Sequence, residues 1–95
     1  MNKLYHNELN PGQVKDIGPS TFYRVSAKPD LTYKIICDIR KWMSENLTKP
    51  FAVQKGYTNK SFKTTGSLTS QAYVFYIQSD LDYVIFKLIH GEYLE

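Results

Sequence analysis

The 95-residue chain has few of the residues that catalysis, metal binding or secretion leave in a sequence. Its single cysteine, Cys37, excludes an internal disulfide and suits a reducing compartment. The two histidines, His6 and His90, are far apart and lack a second cysteine, so there is no zinc spacing. The glycines at 12, 18, 56, 66 and 91 stand singly, which excludes a glycine-rich phosphate loop. No serine sits in a nucleophile elbow. No window approaches 18 apolar residues, and the first six residues hold no apolar run of signal-peptide type. A cytoplasmic, non-enzymatic protein with no metal and no cofactor is expected.

Acidic residues are missing from one long stretch. Residues 1–45 carry seven basic and five acidic side chains, whereas residues 46–79 carry Lys49, Lys55, Lys60 and Lys63 and no acid. The last 16 residues reverse this, with Asp80, Asp82, Glu92 and Glu95 against Lys87. The basic middle is suited to a polyanion. Alternatively, the two zones neutralise each other within the fold or between subunits.

Aromatic residues are plentiful: eight Tyr, five Phe and one Trp. Tyrosine is amphipathic and loses little entropy when ordered, so the excess points to a contact surface or to core filling with wet hydroxyls. Ninety-five residues make one domain, long enough to bury a core without metals or disulfides.

Residues 1–20 read as an arm, with turn signals at Asn10-Pro11-Gly12 and Gly18-Pro19-Ser20. Leu4, Leu9, Val14 and Ile17 are available to pin it to the domain formed by residues 21–95. Residues 21–26 read as a strand. Helical periodicity is clearest over 31–47, where Leu31, Ile35, Ile36, Ile39, Trp42, Met43 and Leu47 share one arc. Asp30 is the expected N-cap, unless Pro29 opens the first turn, and Pro50 closes the segment. Residues 51–57 read as a strand, 61–65 as a short return strand and 66–70 as a loop. Residues 71–78 are apolar on both faces and read as the central strand.

Residues 79–91 fit two structures. The run Tyr83-Val84-Ile85-Phe86 suits a hairpin strand. The boundaries suit a helix: Ser79 as cap, acids in the first turn, His90 in the last and Gly91 as a left-handed stop. The helix is preferred because its end signals have a mechanism. Leu81, Val84, Ile85, Leu88 and Ile89 would then face the core, and His90 would partner the helix end. The order is β-α-β-β-α with a possible last strand at 92–95. This is the split β-α-β, ferredoxin-like α+β arrangement, with two helices on one sheet face.

Within residues 75–91, Phe-Tyr-Ile-Gln-Ser-Asp-Leu-Asp followed by Phe86-Lys87-Leu88 and Gly91 resembles the C-terminal element of small uncharacterised tailed-phage proteins. His90 and Tyr83 depart from that pattern, where an aromatic and a small residue are expected. The resemblance implies a strand followed by a helix, and a viral origin. It carries no activity or binding residues across.

Two surfaces are candidates for contact. On the outer arc of the first helix, Tyr33, Cys37, Arg40 and Ser44 form a stripe that is solvated, covered by the arm, or a partner site. Mid-helix Cys37 is away from the helix N-terminus, where thiols are activated, and reads as an ordinary small residue. Asp80 and Asp82 point apart, as helix-capping residues do. The second surface is the sheet face away from the helices. If Tyr73, Phe75 and Ile77 face inward, Val74 and Tyr76 face outward, joined by Phe22 and Arg24. The arm or a second copy of the chain would cover the same residues. The expected function is an interaction module, a phage or accessory protein that binds a host protein, with inhibition one open consequence, through Phe22, Arg24, Tyr76, Tyr33 and Arg40. The alternative is nucleic-acid binding by base stacking on Tyr76, with Lys49, Lys55, Lys60 and Lys63 on phosphates. The run Ala-Tyr-Val-Phe-Tyr-Ile lacks the basic-glycine start of the RNA-binding pattern.

Overall fold

The computed structural model describes residues 4–29, 31–62 and 66–95, excluding the side chains at 19, 56–62 and 66–72. The first of its elements is a two-residue strand β1 (Glu8–Leu9), followed by helix α1 (Pro11–Ile17) and strand β2 (Tyr23–Ser26). Helix α2 (Tyr33–Asn46), the hairpin β3 (Phe51–Phe62) and β4 (Gly66–Ile77), and helix α3 (Asp80–His90) complete it. The sheet order is β1-β3-β4-β2. β2 and β3, joined through α2, lie on either side of β4, and β4 is antiparallel to both. This is the expected split β-α-β arrangement, an α+β fold of ferredoxin-like type.

α2 forms where the periodicity placed it. Ile36, Ile39, Met43 and Leu47 are buried, with Leu31, Ile35 and Trp42 packed beside them. Its cap is Thr32, whose Oγ1 accepts the Ile35 N–H at 3.3 Å. The helix opens after Pro29 and not at it; Asp30 lies outside the described residues. At the other end the Leu47 N–H donates to the Met43 carbonyl at 2.9 Å.

The alternation on β4 is also as expected. Tyr73, Phe75 and Ile77 are buried with Val25, Phe51, α2 and Phe86 of α3 in one core. Phe75 and Phe86 pack with ring centroids 5.1 Å apart. The hairpin is longer than its composition suggests. Gly66–Ser70, expected as a loop, pairs with Thr58–Phe62 in continuous register. Ser61 and Phe62 finish β3 instead of starting a return strand, and the rest of that expected strand, 63–65, lies outside the described residues. Glycine and serine favour loops by local propensity, but paired in a ladder they satisfy their backbone groups as well as any residue.

The N-terminal segment is more than an arm. Asn10-Pro11 starts a helix where a turn was expected: Asn10 Oδ1 accepts the Gln13 N–H at 2.9 Å. Gln13 Oε1 accepts the Asn10 N–H at 2.9 Å, which completes a capping box. Proline fits because the first helical position has no N–H partner to lose. Gly18, at φ 116°, ends α1 in a conformation that a side chain would strain.

At the C-terminus, Gly91 is right-handed at φ −53° instead of a left-handed stop, and a 3-10 turn spans Gly91–Tyr93. Leu94 then forms an antiparallel bridge with Ala27. The Glu95 N–H reaches the Ser26 carbonyl at 3.0 Å, and the Lys28 N–H reaches the Tyr93 carbonyl at 2.8 Å. This single bridge lies beside β2, where the last strand of a ferredoxin-like sheet belongs.

Candidate functional site

Of the outer stripe of α2, Arg40 is covered by the N-terminal segment. Arg40 Nε donates to Glu8 Oε2 at 2.9 Å, and its terminal nitrogen donates to Oε1 at 2.8 Å. Glu8 Oε1 also accepts the Tyr5 N–H at 3.0 Å, and the Tyr5 ring lies 5.0 Å from the guanidinium. Both charged residues are buried. Burial opposes the charge on Arg40, but the Glu8 hydrogen bond and carboxylate, together with Tyr33, outweigh it and hold the pKa above its ordinary value. Arg40 is therefore a buried structural cation instead of an exposed partner contact. The fork of donors on arginine matches a carboxylate, which explains why this residue type can stay charged there. Tyr33 remains about half exposed, and its contact with Cys37 raises its pKa.

The second sheet face is half covered. α1 sets Val14 against Phe22 and Ala52, with Leu9 and Tyr76 at the margin. Phe22 is buried and is not available to a partner; the two-sided packing of a helix read as a turn could not be seen from its strand pattern. Arg24 is exposed and lies opposite Tyr76 in the β2–β4 register. Tyr76 is half-buried, meets Phe22 edge-on at 6.2 Å and donates its hydroxyl to Gln54 Oε1 at 2.8 Å.

The lysines do not extend this face. Lys55 is opposite Tyr73, which points into the helix-side core, so strand alternation places Lys55 away from Tyr76. Lys49 precedes β3, and its backbone N–H donates to Asp82. The Lys60 side chain and Lys63 lie outside the described residues.

α3 departs most from the sequence reading. Its cap is as expected: Ser79 Oγ accepts the Asp82 N–H at 3.4 Å. However, the Asp82 carboxylate turns inward and accepts the Thr48 N–H at 3.0 Å and the Lys49 N–H at 3.2 Å, besides the Thr48 hydroxyl. Asp82 and Phe86, four residues apart, are both fully buried. That pair sets the roll of the helix. Four of the five residues expected to face the core consequently face solvent: Leu81, Val84, Leu88 and Ile89 are exposed, Leu88 to 79%, while Ile85 is half-buried.

One flank of this stripe is polar. Asp80 accepts a hydrogen bond from the Tyr23 hydroxyl, which raises the Tyr23 pKa. Tyr23 stacks on Tyr83 at 4.3 Å, and Lys87 Nζ reaches the Tyr83 hydroxyl at 3.3 Å. No family model matches the chain, and no curated protein or solved structure matches it.

His90 does not act as a helix-end partner. Its Nε2 is buried with no hydrogen-bond partner among the described residues, and its ring packs 4.7 Å from Trp42 and 5.2 Å from Phe86. Burial lowers its pKa, against the opposing charge of Glu92. Among the described residues no group of three or more His, Cys, Asp or Glu side chains is placed to hold a metal ion. None of the described helices is long and apolar enough to cross a membrane.

Proposed function

We propose that the chain is a non-enzymatic interaction module that acts by binding another protein, with the outer face of α3 as its docking surface. The observation that supports this is the solvent-facing stripe of Leu81, Val84, Leu88 and Ile89. It presents roughly 400 Å² of apolar side chain, within the size range in which surface patches are commonly functional. Its spacing of i, i+3, i+7 and i+8 lets a partner helix or groove take up one continuous face.

Quantitative affinity capture with the wild type and Leu88→Glu as baits tests the reading. A stoichiometric protein partner should be present with the wild type and lost with the variant. Identical captures would discard the surface. Turnover of a substrate without any protein partner would discard the function. The exposed position of Leu88 keeps the substitution out of the core, so loss of binding is separable from loss of fold.

A further inference from the structure

We infer that the occupant of the α3 face is a second copy of this chain, packed antiparallel about a two-fold axis near Val84 and Ile85. The inference rests on the protein-binding reading of the same surface and names its partner.

The exposed area suits a second copy. One stripe offers roughly 400 Å², so two facing copies bury roughly 800 Å² from the stripes alone. Asp80, Lys87 and the Tyr23–Tyr83 pair border the stripe on one side. Burying that rim brings the total past about 1,000 Å², where specific association begins.

The charges on the rim are self-complementary. Asp80 and Lys87 are seven residues apart and therefore lie on the same flank of α3. In an antiparallel pair like flanks meet, whereas a parallel pair sets each flank against the opposite one. With the axis between Val84 and Ile85, Asp80 lies level with position 89 of the second copy. That is two residues, about 3 Å along the axis, from Lys87 of the second copy. Each copy thus supplies the anion for the other's cation, twice per dimer. The same axis sets Leu81 against Leu88 of the second copy and overlaps the full length of both helices. A closed, isologous contact of this kind leaves no stripe exposed.

The test is sedimentation equilibrium of the full chain over about 1–200 μM, a range that covers weak association at this interface size. The wild type should form a dimer, and Leu88→Glu should weaken it at least tenfold. D80K and K87D should each weaken it, because each places like charges together. An equimolar mixture of D80K and K87D should restore the dimer, since both contacts are again of opposite sign. Circular dichroism checks that each variant folds; if D80K does not, Leu88→Glu and K87D still decide the question. A wild type that stays monomeric throughout overturns the inference, and so does a dimer indifferent to Leu88→Glu. A monomer that still loses a captured protein on Leu88→Glu would remove self-pairing and leave the protein-binding reading standing.

Discussion

Asp82 connects the start of α3 to the turn after α2 through the Thr48 and Lys49 backbone N–H groups. Asp82→Ala would strand these donors beside a buried gap, and hydrogen bonds to a charged acceptor contribute about 1.5–3 kcal/mol each. The substitution is expected to destabilise the domain by about 3 kcal/mol, read as a lower midpoint in urea. An unchanged midpoint would mean that water replaces the carboxylate at no cost. His90 makes a second prediction at this scale. Burial among Trp42 and Phe86 puts its folded pKa below the unfolded value of about 6.5. Stability should be full above that value and fall as pH drops from about 6.5 through the folded pKa, because the unfolded chain then binds the extra proton. Urea unfolding between pH 7.5 and 5.5 should show this loss for the wild type and less of it for His90→Leu. Equal slopes would place the titration elsewhere.

At the scale of elements, the amphipathic face of α2 was legible because seven apolar residues at helical spacing leave one way to bury them. Ile39, 2% exposed, should not tolerate Asp, and Ile39→Asp is expected to unfold the domain. Trp42→Ala removes packing against Phe86 and His90 and should cost about 3 kcal/mol. Thermal melts by circular dichroism would decide both; two unchanged midpoints would mean the helix face is misassigned. The roll of α3 was not legible. Its five aliphatic residues outweigh Asp82, Phe86 and His90 on any hydropathy scale, so periodicity alone turns the wrong face inward. The Thr48 and Lys49 donors select Asp82, and the gap between Phe75 and Trp42 takes up Phe86. Neither is visible in the 11 residues of the helix itself.

For the whole molecule, residues 5–17 tie the two sides of the sheet together. β1 extends the sheet beside β3, α1 covers Phe22 and Ala52, and Glu8 neutralises Arg40 on α2. Breaking that pair from one side leaves a buried charge, so Glu8→Gln should cost about 3–5 kcal/mol. Glu8→Leu combined with Arg40→Met should cost much less, because an apolar pair of similar volume needs no solvation. A double-mutant cycle in urea measures the difference; additive losses would show that the ion pair is not coupled. The expectation of an arm came from reading Asn10-Pro11-Gly12 as a turn. Gln13 at the third helical position was the capping-box signal for α1 and was available in the sequence.

What the sequence determined by itself is the set of elements with sustained period or strong end signals. These are α2, the central strand β4, the capped start of α3 and the order that makes a split β-α-β sheet. These depend on local backbone preference and on the need to bury one face, both carried by neighbouring residues. Tertiary structure alone decided which charges are buried and which apolar residues are left outside. Arg40 is inside because Glu8, 32 residues away, reaches it. Leu88 is outside because Asp82 finds its donors 33 and 34 residues away, at Lys49 and Thr48. Burial of a helix face is a competition among partners distant in sequence, and hydrogen bonds to a buried carboxylate can outweigh aliphatic area when the two lie on different faces.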